Sequence, residues 1–257
     1  MSSASAVAAP ADLVEYCLRL GDDCLVLSHR LSEWTGHAHD FEEDVALANL
    51  ALDLLGQARN LLSYAGEIEG RGRDEDSLAY WRDDRDFRNC LLVEQPNGDF
   101  AMTMVRHLFF SAHQVALHQR LLGSSDATLA AVAGKAVKEA RYHRDHAALW
   151  VVRLGAGTEE SHRRASAAVT ALLPLVGELF EEDALVQRLV SNAVIPDPGQ
   201  ISAEWNTYVD ATLREATLDR PQVASRSGGR RGLHSEHLGH LLAEMQHLHR
   251  SHPDASW

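Results

Sequence analysis

The sequence predicts an all-α fold, and three patterns of apolar residues are the main basis for that prediction. In each pattern the apolar positions recur every three or four residues, which places them on one face of a helix. The first pattern runs from Leu13 to Trp34, the second from Leu47 to Tyr64, and the third from Leu129 to Leu154. Only 7 of the 257 residues are prolines, so long segments are free to form helix.

The first two helices are predicted to form a hairpin. One covers residues 12–35 and ends at Gly36, and the other covers residues 41–65 and ends at Gly66, since glycine commonly terminates a helix. The short polar link between them leaves room only for an antiparallel arrangement.

A second hairpin is predicted after a long charged connection over residues 67–99. Its helices cover residues 99–122 and 126–154, and the short link between them again implies antiparallel neighbours. Further helices are expected near residues 159–190, 201–217 and 234–250.

A hairpin, a long crossover and a second hairpin are together the connectivity of a ferritin-like four-helix bundle. We therefore expect a disordered tail over residues 1–11 and a single ferritin-like helical domain over residues 12–257, with additional helices C-terminal to the bundle.

The charge and cysteine content exclude several classes of function. The formal net charge of −13 disfavours binding to nucleic acid. No segment is apolar for long enough to span a bilayer, and the first residues lack the basic and apolar regions of a signal peptide. Three cysteines without a Cys-x-x-Cys spacing argue against disulfides and zinc sites. We expect a cytoplasmic protein with neither nucleic-acid nor membrane partners.

The residues that would hold two metal ions are missing from the bundle. A di-iron bundle carries an inward Glu-x-x-His pair on two helices and a carboxylate on each of the other two. Here the pairs become Leu54 with Gln57 and Ala140 with His143, so the sequence predicts no metal ligands and no catalytic residues. The degenerate ligand positions are Cys24, Leu54, Gln57, Ser111, Ala140 and His143.

Two alternatives for metal binding in the bundle are not favoured. A register one residue earlier offers Asp23, Asp53 and Glu139, but it places Gly56 and Tyr142 where histidines are needed. A single metal shared by Glu139 and His143 is disfavoured because Lys135 and neighbouring basic residues offer Glu139 ordinary charge partners. His143 is interpreted as a hydrogen-bonded core histidine.

Two further polar groups are interpreted as surface features. His107, Ser111, Gln114 and His118 form a helical stripe that we expect to face solvent or a partner. Histidines recur over residues 234–247 with Glu244 and are expected to bind metal only adventitiously.

A glycine-rich loop carries three arginines in this otherwise acidic chain. The loop spans residues 226–232, with Arg226, Arg230 and Arg231 among flexible glycines. Such a loop can clamp a phosphate, although a solvated turn is the favoured interpretation from residues alone.

Several strings of residues together resemble the C subunits (PaaC type) of bacterial phenylacetyl-CoA epoxidase, the ring 1,2-phenylacetyl-CoA monooxygenase. The resemblance covers nearly the whole chain, and the combination is far more specific than any one string. The strings are Leu18–Asp22, Cys24–Ser28, Ala46–Leu50, Asp53–Asn60, Val93–Gly98, Lys138–His143, Gly232–Gly239 and Ala243–Gln246.

The resemblance implies a structural, non-catalytic subunit in aerobic phenylacetate degradation. Such a protein pairs with a homologous catalytic subunit of the A type, which carries the di-iron centre, and has no cofactor of its own. The complex also contains a small subunit of the B type and receives electrons from a reductase component with flavin and iron–sulfur groups that uses NADPH. Ser111 departs from the Asp expected in some relatives. Arg226, Arg230 and Arg231 become candidate contacts for the phosphates of CoA.

Two other functions stay open from the sequence. An independent di-iron oxidase or ferroxidase of ferritin-like fold would need two bound irons per chain. A helical scaffold unconnected with oxygenase chemistry would bind no oxygenase component.

Overall fold

The computed structural model describes residues 9–253 and 255, and within them the secondary structure consists of helices without strands. The predicted all-α class is confirmed. Residues 1–8 of the predicted disordered tail lie outside the described residues, and the first helix already begins at Pro10. The α-helices are α1 (Pro10–Ser32), α2 (Phe41–Glu69), α3 (Glu75–Tyr80), α4 (Leu91–Glu94), α5 (Phe100–Leu121), α6 (Ala127–Gly155), α7 (Glu159–Leu172), α8 (Ala184–Ser191), α9 (Pro198–Glu215) and α10 (Glu236–Ser251). Short 3₁₀ helices lie at Asp84–Asp86, Leu173–Phe180 and Gly229–Arg231.

Aspartate side chains begin the long helices after α1. The carboxylates of Asp40, Asp99 and Asp126 each accept a hydrogen bond from the backbone N–H three residues later, at the starts of α2, α5 and α6. These N-caps satisfy amides that have no partner inside the helix. They explain why the predicted starts of these helices agree with the structure to within one residue.

The predicted end of the second helix is wrong. The helix continues past Gly66 to Glu69 and ends at Gly70, whose φ of 67° lies in the left-handed region. Gly66 has a different role, because a Cβ there would lie 2.0 Å from the carbonyl oxygen of Arg73. Its missing side chain lets the returning chain pack against the helix.

The chain divides into two compact units. We call residues 97–226 the central unit, and residues 9–96 together with the described residues from 227 onward the terminal unit. The single ferritin-like domain expected for residues 12–257 stays a prediction.

In the terminal unit, α1 and α2 pack against each other as the predicted hairpin. Their shared core is aliphatic, with Leu27, Leu31, Leu47 and Leu50 wholly buried. The Ser28 hydroxyl on α1 donates to the carbonyl of Ala51 on α2 at 2.7 Å. Helix α10 contacts α3, so the C-terminal segment belongs to the same unit.

In the central unit, α6, α7 and α9 all pack against α5. The indole of Trp205 on α9 is buried and donates to the carbonyl of Phe109 on α5 at 2.8 Å. The single helix expected over residues 159–190 is wrong, because α7 ends at Leu172 and Pro174 lies at the start of the 3₁₀ segment that follows. Proline removes a backbone donor and interrupts the helical pattern.

Among the described residues, no helix is both long and apolar enough to cross a membrane.

Candidate functional site

In the terminal unit, two of the positions predicted to be degenerate metal-ligand positions form a neutral hydrogen bond. Cys24 on α1 and Gln57 on α2 are both buried, and the thiol of Cys24 donates to Oε1 of Gln57 at 3.8 Å. Leu54, one turn before Gln57, is also buried and offers only methyl groups. Where a di-iron helix pair would place charged oxygen ligands, these residues form part of an ordinary helix–helix interface.

In the central unit, the corresponding positions also lack carboxylates. The hydroxyl of Ser111 on α5 donates to the carbonyl of His107 at 2.6 Å, a bond within its own helix. Ala140 and His143 on α6 are buried. The ring of His143 lies beside the ring of His107, with centroids 5.2 Å apart.

His107 is held in its neutral form. It is completely buried, and neither ring nitrogen has a hydrogen-bond partner within the part of the chain that the structure describes. Burial lowers the pKa of His107 well below its ordinary value, and the positive charges that His143, His146 and Arg106 can carry lower it further. A neutral imidazole carries no positive charge, so His107 cannot act as the cationic partner of a carboxylate.

The stripe of His107, Ser111, Gln114 and His118 does not face solvent, so that alternative is wrong. All four side chains are buried, because α5 is packed by three other helices of its unit. Burial lowers the pKa of His118 to about 4.

The donor atoms at these positions do not fit a di-iron centre. Iron in such centres is bound by carboxylate oxygens together with imidazole. The predicted positions offer a thiol and an amide in the terminal unit, and a hydroxyl and an imidazole in the central unit. Across residues 9–253 and 255, there is also no group of three or more His, Cys, Asp or Glu residues that could hold a metal ion.

The carboxylates of the alternative register have other partners. Asp23 is buried in the terminal unit, and its oxygens accept hydrogen bonds from Nη1 and Nη2 of Arg230 at 3.0 and 2.7 Å. The backbone N–H of Cys90 also donates to Asp23, at 2.7 Å. In the central unit, Glu139 lies 4.0 Å from Nζ of Lys135, the charge partner expected from the sequence.

The arginine loop is partly internal, which changes the prediction for CoA. The guanidinium of Arg230 is buried against Asp23 and also donates to the carbonyls of Arg19 and Arg88. Arg230 is therefore withdrawn as a candidate phosphate contact, because its donors point inward. Arg226 and Arg231 are exposed, and their contact with CoA phosphates stays a prediction.

The glycines of this loop provide close packing rather than flexibility. A Cβ at Gly229 would lie 2.1 Å from the carbonyl oxygen of Asn89. Gly232 has a φ of 73°, and a Cβ there would lie 2.3 Å from the carbonyl oxygen of Arg85. Both glycines let the loop lie directly on residues 85–90.

Sequence reasoning missed a buried ion pair between Asp22 and Arg82. Both carboxylate oxygens of Asp22 accept from the guanidinium of Arg82, and one also accepts from the backbone N–H of Arg88. The same guanidinium lies over the ring of Phe87 at 4.3 Å. Asp22 stands in one of the strings that carry the family resemblance, and that is the signal the sequence offers for it.

A second missed contact joins Glu94 to His234. The carboxylate of Glu94 is buried and lies 2.7 Å from Nδ1 of His234, while it accepts from the side-chain amide of Asn89 and the backbone N–H of Ser235. Nε2 of His234 lies 3.1 Å from the carbonyl oxygen of Phe87. The imidazole of His234 is thus held between a carboxylate and a carbonyl group, both of which are hydrogen-bond acceptors.

These features define a class of protein: an all-α, ferritin-like chain in which the positions predicted for metal ligands lack carboxylates, and in which Asp22 and Asp23 form buried ion pairs. A family model described as phenylacetic acid catabolic protein matches residues 2–257, and the chain belongs to this family. The chain is also 52% identical over 246 residues to the C subunit of 1,2-phenylacetyl-CoA epoxidase from Escherichia coli (strain K12). The match covers 95% of this chain and 99% of that relative. The predicted resemblance and the ferritin-like fold class are both confirmed.

Proposed function

We propose that this chain is a structural, non-catalytic subunit of a phenylacetyl-CoA epoxidase. In this proposal it pairs with and stabilises a homologous catalytic subunit that carries the di-iron centre, in aerobic phenylacetate degradation. The observation that carries the proposal is that all six degenerate ligand positions are buried and none of them holds a carboxylate. The 52% identity to a protein named as the C subunit of the epoxidase supports the same assignment.

The energetics of these positions support a site that holds no iron. An iron ion placed at these positions in either unit would bring positive charge beside buried side chains that offer no carboxylate, which is strongly unfavourable. The existing contacts, such as the bond from Cys24 to Gln57, are satisfied without any ion.

The remaining partners follow from the same proposal. A small subunit of the B type and a reductase component would bind the assembled pair, and the exposed Arg226 or Arg231 would contact phosphates of the acyl-CoA. Replacing Arg226 and Arg231 with alanine tests the last point. An unchanged KM for the thioester would contradict contact between these arginines and the phosphates of CoA.

Reconstitution tests the proposed function directly. We expect the catalytic subunit with reductase to oxidise phenylacetyl-CoA efficiently only when this chain is present, and this chain with reductase alone to be inactive. A catalytic subunit that is equally soluble and equally active without this chain would contradict the stabilising role. Oxidation of ferrous iron or of the thioester by this chain alone would favour an independent di-iron enzyme.

A further inference from the structure

The central unit contains a cleft that is separate from the positions predicted for metal ligands. The cleft has a volume of about 580 Å³ and lies between the 3₁₀ helix Leu173–Phe180, residues 202–210 of α9 and residues 220–225. We call it the α9 cleft. Cavities of this size commonly bind small organic molecules when a few polar groups accompany an apolar lining.

One wall of the α9 cleft is the chain that follows α9. Thr217 has a φ of 56°, in the left-handed region that a β-branched residue rarely adopts, and this conformation turns the chain back toward the helix. Residues 218–225 form no helix. Directly after them, the backbone N–H of Arg226 donates to the carbonyl of Pro174 at 2.7 Å. The wall is therefore fixed at both of its ends.

The floor of the α9 cleft is apolar and partly aromatic. Leu173, Val176 and Trp205 are buried in the fold and also line the cleft. The ring of Phe180 lies edge-on to the ring of Trp205, with centroids 5.7 Å apart. An apolar group of a ligand would leave water on entering this part of the cleft, and an aromatic group would gain ring contacts as well.

Arg220 lies in the cleft wall and is held in place by two residues of α9. Its Nη1 donates to Oδ1 of Asp210 at 2.6 Å, and its Nη2 donates to Oδ1 of Asn206 at 2.7 Å. The same guanidinium lies over the ring of Trp205 at 5.1 Å from the centroid. These contacts fix a charged pair directly beside the aromatic floor.

The α9 cleft offers one charge of each sign. Among the described residues that line it, the charged ones are Asp210 and Arg220, with side chains that are 44% and 32% exposed. Their mutual contact uses Oδ1 and Nη1, so Oδ2 of Asp210 and Nε of Arg220 remain for a ligand. A ligand with a net charge would leave that charge uncompensated beside the balanced pair, whereas a zwitterion pairs with both groups.

We propose that the α9 cleft binds a free α-amino acid with a large apolar side chain, such as phenylalanine. The carboxylate of the amino acid accepts from Arg220, its ammonium group donates to Asp210, and its side chain packs on Trp205 and Phe180. The proposal goes beyond the proposed function and does not depend on it, because binding requires no iron and no other subunit.

Isothermal titration calorimetry on the full-length wild type tests the proposal with four compounds. The first is L-phenylalanine, and each of the others lacks one of its features: phenylacetate lacks the ammonium group, phenethylamine lacks the carboxylate, and glycine lacks the side chain. L-Phenylalanine should bind about tenfold or more tightly than each of the other three. No binding of L-phenylalanine at millimolar concentration would overturn the proposal. Equally tight binding of any one of the other three would overturn it as well.

Substitutions test the location of the site. Arg220→Gln and Asp210→Asn should each weaken binding of L-phenylalanine about tenfold or more, because each removes one of the two charges that the zwitterion needs. The matched control is Arg163→Gln on α7, whose wild-type guanidinium pairs with Glu160 on the surface and does not line the cleft; this variant should bind like the wild type. Circular dichroism confirms that each variant is folded. Wild-type affinity in both cleft variants would overturn the proposal. If either variant fails to fold, the comparison of the four compounds on the wild type still decides.

Discussion

Three consecutive residues of α1 show the contrast between the buried charges of this protein and the positions predicted to be degenerate metal-ligand positions. Asp22 and Asp23 are fully buried carboxylates, each bound by an arginine, whereas Cys24 is a buried neutral thiol bonded to Gln57. A buried carboxylate is tolerable when a cation and hydrogen bonds compensate it. In this chain arginines supply that compensation at Asp22 and Asp23, and no negative charge remains at the neighbouring position for a metal to bind.

The largest expected effect comes from breaking one of the ion pairs. Arg230→Ala leaves Asp23 buried without its cation, and the free energy of unfolding should fall by about 3–5 kcal/mol. Urea unfolding followed by circular dichroism measures the change. Arg231→Ala, at the exposed neighbouring position, is the matched control and should change stability by less than about 0.5 kcal/mol. Equal effects of the two substitutions would contradict a structural role specific to Arg230.

The buried His118 of α5 should make the free energy of unfolding depend on pH, by nearly as much as the loss expected for Arg230→Ala. The pKa of His118 is about 4 in the folded chain because burial disfavours its charged form. The unfolded chain therefore binds a proton that the folded chain does not, so stability is fully present above about pH 6.5 and falls as pH drops toward 4. The loss at pH 4 should be about 3 kcal/mol for this histidine.

His118→Leu tests this pH dependence. Its unfolding free energy should fall less between pH 6.5 and 4 than that of the wild type. His240→Leu on α10 is the control, because the wild-type histidine is exposed and the substitution should leave the pH profile unchanged. If the unfolding free energy of His118→Leu depended on pH in the same way as that of the wild type, His118 would not be the group that titrates.

A smaller effect is expected at the contact between Glu94 and His234. Glu94→Gln keeps the size of the side chain but removes the charge that three donors share, and unfolding free energy should fall by about 2 kcal/mol. Thermal and urea unfolding measure it. Glu236→Gln, at an exposed position that starts α10, should have almost no effect. An unchanged unfolding free energy in Glu94→Gln would contradict a stabilising role for the buried Glu94 carboxylate.

The smallest effect is expected at the ligand positions themselves. Gln57→Leu removes the weak acceptor of the Cys24 thiol and adds apolar volume of similar size, so stability should change by about 1 kcal/mol or less. Epoxidation by the reconstituted complex should be unchanged within error. A large loss of activity with a stable fold would show that Gln57 takes part in chemistry.

The helices could be predicted from sequence because their signals are local. Apolar spacing identifies α1, α2 and α6, and aspartate caps define the starts of α2, α5 and α6. Helix ends are harder to predict, because a glycine can either terminate a helix or allow close packing in the middle of one. Gly66 resembles a helix end in sequence, but its role is close packing within α2.

The neutral ligand positions could also be derived from helix spacing, and Cys24 and Gln57 are indeed in contact. The ion pairs could not be derived, because Asp23 and Arg230 are separated by 207 residues and neither has a local pattern that identifies its partner. The burial of His107 was missed for a related reason. Its helix is covered by α7 and α9, which follow much later in the chain.

Iron content per chain is the measurement that tests the account most directly. It should be determined by elemental analysis on this protein purified alone, and again after co-expression with its proposed catalytic partner. The account predicts no iron on the chain alone and about two irons per catalytic partner in the complex. Two irons bound stoichiometrically to this chain by itself would contradict the assignment of its ligand positions as degenerate.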